Sequence, residues 1–463
     1  MSAIVNQKVD FTEGKITPKL IKFAIPIMLT GLLQMLYNAS DMIVVGNFAE
    51  NGTNAVGGIG ACTSLITMII GLFLGLSVGA GVVTAKNIGA RRFDNVKDII
   101  TTSLLLAVVC GIFVAIFGFI FCKPLLVFMG TPDDILVEAV PYMQAYFIGV
   151  PFNLSYLFLA AIVRSSGDSK TPLIILGVAG IFNVITNLVM VLVFNMGAIG
   201  VSIATVCAQT LSLIIIAIYL ARKNDYLKLS FKNLKVNKNI LTSIITIGLP
   251  AGLQTTIFAI SNVLIQSTIN SYGPEAVSGN AAAANLEGFT YTTMNAFYQA
   301  TLTFVGQHMG ARKYDRIPKI TLSAVILVVV IGSIMGNTIY LLGDTLLSIY
   351  EPESVIVREW GLKRLSIVST FHCLCGVFEV GSAVLRGMGK SFLSMIISLI
   401  GSVLLRIVWI FTICALIPNN IVILYISYPV SWTITVISMY AFVFVMYKKL
   451  IRQKEKDLQE KLA

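Results

Sequence analysis

The sequence predicts an all-α polytopic membrane protein, with twelve transmembrane helices in two pseudo-symmetric six-helix bundles around a central cleft. Three observations predict it. Charged residues make up only 12% of the 463-residue chain and hydrophobic residues 56%, whereas soluble domains run near 25% charged. Apolar runs repeatedly reach the roughly 20 residues that a helix needs to cross a bilayer. The chain also repeats itself, with motifs recurring at offsets of 221 to 224 residues.

Apolar runs between polar breaks place spans near 20–46, 56–85, 98–122, 138–163, 172–194 and 198–221, then 242–271, 281–306, 320–342, 362–385, 392–417 and 421–447. The first 19 residues are polar. The first apolar run is too long for the core of a cleavable signal, so the first helix is expected to remain as an uncleaved anchor.

Orientation follows from Lys and Arg, which accumulate on the cytoplasmic side of short loops. The N-terminal segment carries Lys8, Lys15, Lys19 and Lys22, and the loop after the second span carries Lys86, Arg91, Arg92 and Lys97. Arg164 and Lys170 follow the fourth span. The middle linker, "GARKYDRIPK", "RGMGK" and the C-terminal tail hold most of the rest, so 28 of the 33 basic residues fall on one side. The remaining loops are short or acidic, as in "GTPDD" and "YEPES". Both termini are therefore expected in the cytoplasm, and the net charge of +11 reflects this bias. No basic stretch carries the interleaved aromatics of a nucleic-acid surface, so no nucleic-acid partner is expected.

The repeat sets the domain plan. "AIPIMLTGLLQMLYNASDMIVVG" opens one half and "IGLPAGLQTTIFAISNVLIQS" the other, aligning Pro26 with Pro250 and Asn38 with Asn262. "GARRFD" answers "GARKYD", and "RSSGDSK" answers "RGMGKS". Six spans per repeat preserve orientation, so the halves are parallel repeats related by an axis along the membrane normal, an architecture suited to alternating access. The expected borders are 1–221 for the N-terminal bundle, 222–241 for a cytoplasmic linker, 242–447 for the C-terminal bundle and 448–463 for a basic cytoplasmic tail.

Ionisable residues inside spans mark candidate function, because burying a charge in lipid is expensive. Asp41 lies in the apolar run "LYNASDMIVVG", and Gln34, Asn38 and Asp41 share one helix face by their spacing. Asn183 and Asn187 face together on the fifth span, and Thr205 on the sixth lies at similar depth by helical rise. These groups are expected to converge on Asp41 as a cation- or proton-coupling site. The second half has its own polar network: Glu287, His372 and Arg406 at similar outer depth, and Glu379 nearer the cytoplasm. A Glu287–Arg406 ion pair is expected there, with Arg364 snorkelling at the outer end of the tenth span. The seven cysteines all sit in apolar runs and read as small buried hydrophobes. There is no GxxxxGK[ST] loop, no HExxH and only two His. An enzyme or ATPase is not indicated, no cofactor is expected, and transport would draw on an ion gradient.

In these residues the chain resembles the multidrug and toxic compound extrusion (MATE) family over essentially its whole length. The carriers are Pro26, Gln34, Asp41 and Gly46 in the first span, the "GA+" loops after the second and eighth, and the "RSSGDSKTP" and "LRGMGKS" turns. Asn183 in the fifth span and "GVSIAT" opening the sixth complete the set, and "NAFYQA" with "FEVGSAVLRGMG" is similar to the Firmicutes-type branch. The resemblance implies a secondary active antiporter in the bacterial plasma membrane. It would export amphipathic, mostly cationic organic compounds in exchange for H⁺ or Na⁺, and is expected as a monomer. The resemblance also assigns coupling to Asp41, Asn183 and Thr205. The chain departs from the family pattern where Asn187 replaces a second N-terminal carboxylate, which favours H⁺ over Na⁺, and where Phe258 and Cys375 hold positions that are acidic in some relatives. The alternative is a flippase for lipid-linked precursors, which would want a strongly cationic cleft; only Arg406, Arg364 and Lys363 could supply one.

Overall fold

All regular structure among the described residues is helical, as lipid requires of a chain that must satisfy every backbone group internally. The computed structural model describes residues 11–49, 52–230, 235–350, 352–417 and 420–462. Lys8, the linker stretch 231–234, Glu351 and Ala463, all used in the topology or border expectations, lie outside the described residues.

The long helices are α1 (Ile16–Phe48), α2 (Gly52–Gly89), α3 (Phe93–Phe128), α4 (Asp133–Ser165), α5 (Lys170–Leu188) and α6 (Gly197–Ala221), then α7 (Lys238–Asn270), α8 (Pro274–Gly310) and α9 (Ile317–Leu341). Shorter pieces follow: α10 (Gly343–Ser348), α11 (Val355–Arg364), α12 (His372–Gly387), α13 (Ser391–Ser398) and α14 (Leu405–Trp409). The last helix, α15 (Ile421–Leu462), runs on through the basic tail. Wide π-turns interrupt the regular helix at Val189–Val193, Leu365–Ser369, Leu399–Leu404 and Ile410–Cys414.

Ten helical stretches among the described residues are long and apolar enough to cross a membrane, and eleven if the pair Val355–Ser369 and His372–Gly387, bent by 44°, forms one span. This is fewer than the twelve expected. The missing one is α8, whose 37 residues correspond to about 55 Å of helix. It is long enough to cross but too polar to qualify by composition, because it buries Asn280, Glu287, Thr290 and Thr293 inside the protein. Apolar surface instead faces outward on α3, where Val109 and Phe113 are each 66% exposed, as on a helix bathed in lipid.

The described residues fall into two compact units, 29–252 and 11–28 with 253–462. In the first unit, α2 and the start of α7 cross through facing small-residue pairs. A Cβ on Gly75 would lie 2.0 Å from the Gly252 nitrogen, and one on Gly79 would lie 2.9 Å from the Gly248 Cα. Gly75-x-x-x-Gly79 and Gly248-x-x-x-Gly252 thus form the close-packed contact that lipid-embedded helices use in place of a hydrophobic driving force. In the second unit, Phe11 stacks on Phe304 at 4.2 Å and meets Phe23 edge-on at 5.0 Å, tying the start of α1 to α8.

The internal repeat is also visible in the backbone. Arg91 and Arg312, in the two "GAR" loops, both take left-handed conformations, with φ of 57° and 54°. Gly167 and Gly389, in the answering turns, have φ of 96° and 87°. Positive φ is rare outside glycine, so its recurrence at equivalent loops shows each turn built twice. The linker beyond α6 docks on the first unit: Leu227 and Leu229 are buried, and Tyr226 stacks on Phe93 at 4.7 Å. Burial there pushes the Tyr226 hydroxyl pKa up to about 12.

Candidate functional site

Three helices of the first unit deliver the predicted groups. On α1, Tyr37 and Asp41 are one turn apart and face α5 together. The Tyr37 hydroxyl donates to the Leu176 carbonyl at 2.9 Å, and its ring occupies the space that a Cβ on Gly180 would need. One to two turns on, Asn183 and Asn187 project from α5 and are both buried. The α6 helix is anchored to α4 by Ser202, whose hydroxyl donates to the Tyr142 carbonyl at 2.8 Å. That bond places Thr205, three residues later, beside the same carboxylate.

The four side chains close a ring. Asn187 Nδ2 donates to Asp41 Oδ1, and Thr205 Oγ1 donates to Asp41 Oδ2 at 3.5 Å. Asn183 Nδ2 donates to Thr205 Oγ1 at 3.4 Å, and Asn187 Nδ2 also reaches Asn183 Oδ1 at 3.3 Å. Asn187 Oδ1 is buried with no hydrogen-bond partner, a costly arrangement for a polar atom. The ring therefore pairs one carboxylate with amide and hydroxyl groups that can either donate or accept.

Gln34 and Asn38 are not part of the ring. Both are exposed on α1, and no hydrogen bond ties either to Asp41. Their shared face is real, but the contact with α5 runs through Tyr37, for which spacing and charge carry no signal.

In the second unit the expected Glu287–Arg406 pair does not form. Glu287 pairs with Arg364, whose Nε donates to Oε1 at 3.0 Å and Nη2 to Oε2 at 2.7 Å. Arg364 Nη1 donates to Asn280 Oδ1 at 2.8 Å. Far from snorkelling, Arg364 is only 7% exposed. Arg406 Nε donates to Ser431 Oγ at 2.8 Å, and its guanidinium lies 4.2 Å from the Tyr428 ring centroid. His372 packs edge-on against Trp432 with centroids 5.5 Å apart. Glu379 is half-buried on α12 near Arg386, which donates to Tyr298 at 2.5 Å and to Gln254 at 2.7 Å. Among the described residues no group of three or more His, Cys, Asp or Glu could hold a metal ion.

The MatE family profile matches the chain twice, over residues 26–189 and 250–412, each match opening at one of the paired prolines. "Probable multidrug resistance protein YoeA" of Bacillus subtilis is 23% identical over 436 residues, covering 92% of this chain and 93% of that protein. "Probable multidrug resistance protein YpnP" of the same organism is 27% identical over 400 residues, covering 86% of this chain and 88% of that one. Among solved structures, the "outward-facing conformation of a multidrug resistance MATE family transporter of the MOP superfamily" aligns with a TM-score of 0.89 at 20% identity, over 96% of this chain and 99% of that one. That likeness shows the fold.

Proposed function

Because the chain belongs to the MatE family, we propose that it is a secondary active antiporter that expels amphipathic, mostly cationic organic compounds in exchange for H⁺ or Na⁺. It works in the plasma membrane as a monomer with both termini cytoplasmic. Its twelve spans form two six-helix bundles, α8 and the bent α11–α12 pair completing the count. The bundles carry the expected borders: 1–221 and 242–447, joined by the linker 222–241 and followed by the tail 448–463. Relatives named as multidrug resistance proteins support drug extrusion and do not favour the flippase.

One observation carries the coupling reading: the ring that closes on Asp41 contains a single carboxylate among amide and hydroxyl groups. A protonated carboxyl becomes a donor. Its proton can point at Thr205 Oγ1 and reverse that hydrogen bond, or turn toward the unpartnered oxygen of Asn187. Either change resets α1 against α5 and α6. Na⁺ would instead draw on the oxygens of Asp41, Asn183, Asn187 and Thr205, with the Asn187 amide turned so that its free oxygen faces the ion. One carboxylate suffices for a proton and makes a thin Na⁺ site, so H⁺ is the favoured ion. A substrate cation that prefers charged Asp41, and a coupling ion that neutralises it, bias two states in opposite directions, as exchange requires.

The test is efflux of a cationic dye from reconstituted vesicles under an imposed pH or Na⁺ gradient. Dye movement driven by the pH gradient is expected. Movement driven only by Na⁺ would reassign the ion, and movement indifferent to both gradients would remove the antiport reading.

A further inference from the structure

Among the described residues, the second unit buries three guanidiniums, on Arg364, Arg386 and Arg406, against one fully buried carboxylate, on Glu287. Arg364 holds Glu287 in a two-pronged ion pair. Arg386 donates from its two terminal nitrogens to Tyr298 and Gln254, leaves its Nε buried without a partner, and has the half-buried Glu379 as its electrostatic neighbour. Arg406 has no carboxylate. It is 4% exposed, its only polar contact is the Ser431 hydroxyl at 2.8 Å, and its Nη2 is buried with no partner. Stacking on Tyr428 at 4.2 Å and Trp432 at 5.6 Å offsets part of the desolvation but leaves the charge uncompensated. A second orphan stands against the same indole. His372 is 5% exposed, neither of its ring nitrogens has a partner, and its ring lies 5.5 Å from Trp432. An imidazole carries at least one N–H donor in any tautomer.

Two buried groups, one of them permanently cationic, thus meet one tryptophan with Arg406 Nη2 and both His372 ring nitrogens unpartnered. Buried charges in membrane proteins are paired or mark a ligand path. We propose that the Arg406–His372–Trp432 cluster is an anion site, taking a small monovalent anion such as a halide or a carboxylate group. The anion completes the charge balance of the second unit, as Glu287 does for Arg364. The wide π-turns at Leu399–Leu404 and Ile410–Cys414 flank Arg406, and such turns recur at functional sites because they let a helix shift locally. A carboxylate-bearing zwitterion and a free halide satisfy the same donors, so the shared chemistry defines the site.

Trp432 is a built-in reporter. The chain has three Trp, and Trp360→Phe with Trp409→Phe leaves Trp432 alone in the otherwise intact protein in detergent. Iodide should then quench its fluorescence with a saturating dependence, at ionic strength held constant with a bulky organic sulfonate. Arg406→Gln and His372→Gln in this background should each turn the saturating curve into the weak linear one of collisional quenching. Competition by acetate would identify carboxylate groups as ligands, and competition by chloride alone would identify free halide. Linear quenching in the protein with both Arg406 and His372 intact would overturn the proposal whether or not the variants fold. No gradient is involved, so the result is independent of the antiport test.

Discussion

Tyr37 fills the place of a side chain that Gly180 lacks: a Cβ on Gly180 would fall 1.6 Å from Tyr37 Cζ. With the 2.9 Å bond from the Tyr37 hydroxyl to Leu176, this fixes α1 on α5 one turn before Asp41 meets Asn187. Gly180→Ala should expel the ring, break its bond to Leu176 and destabilise the protein by about 1–3 kcal/mol, in the range of core overpacking. Tyr37→Ala should cost a comparable amount, and the double variant less than the sum of the two, because the clash disappears with the ring. Thermal unfolding of the purified proteins measures all three. Strictly additive losses would mean that the ring and the glycine act independently.

Asp41→Asn keeps the size of the side chain and its capacity to hydrogen-bond but cannot change charge. The variant should insert and purify in normal amounts and lose gradient-driven efflux. Asn187→Ala should weaken efflux less, since the amide carries no charge to exchange. Vesicle transport normalised to monodisperse protein decides the matter, and an Asp41→Asn protein that pumps at the full rate with unchanged pH dependence makes the carboxylate structural.

Breaking the Glu287–Arg364 pair from one side strands the other charge in a buried site. Glu287→Gln and Arg364→Gln should each destabilise by roughly 3–5 kcal/mol, and the double variant by clearly less than their sum. The same cycle between Glu287 and Arg406 should show a much smaller coupling. Equal coupling in both cycles would show that Glu287 is shared between the two arginines.

Topology rests on the 28 of 33 basic residues that fall on one side. In a cysteine-free background, single cysteines at Asp133, Glu275 and Glu353 should react with an impermeant thiol reagent in intact cells. Those at Asp94, Lys235 and Asp315 should react only after lysis. Labelling of the second set in intact cells would refute the twelve-span arrangement.

The group at Asp41 could be read from sequence because helical spacing and depth along regular helices place Asp41, Asn183, Asn187 and Thr205 together, and α5 is regular up to Leu188. The same counting failed for Arg406. The stretch before it passes through the wide turn Leu399–Leu404, and the span bearing Arg364 is bent by 44° around Thr370 and Phe371. Depth measured at the rise of a straight α-helix does not survive such segments, so counting pairs Glu287 with Arg406 where the structure pairs it with Arg364. Gln34 and Asn38 show a different limit. Periodicity tells which residues share a face but not how far along that face the neighbouring helix stays in contact. The Gly75–Gly252 crossing went unseen for a related reason: four-residue glycine spacing in one helix says nothing of its partner until the helices are placed.

The polarity of α8 bears on how the protein is made. A segment carrying Glu287 is a poor substrate for insertion into lipid, since an ionised residue within a span opposes partitioning, by up to about 2.5–3.5 kcal/mol at its centre. Its counter-charge, Arg364, lies 77 residues downstream. At ordinary elongation speeds of 5–20 residues per second, that interval lasts roughly 4–15 s. Throughout it the ribosome has delivered the acid and not yet the base. In the twelve-span arrangement α8 must wait in the translocation machinery, beside α7 or as a protonated acid, until α11 emerges. Biogenesis of this protein would then be timed by the late arrival of one arginine.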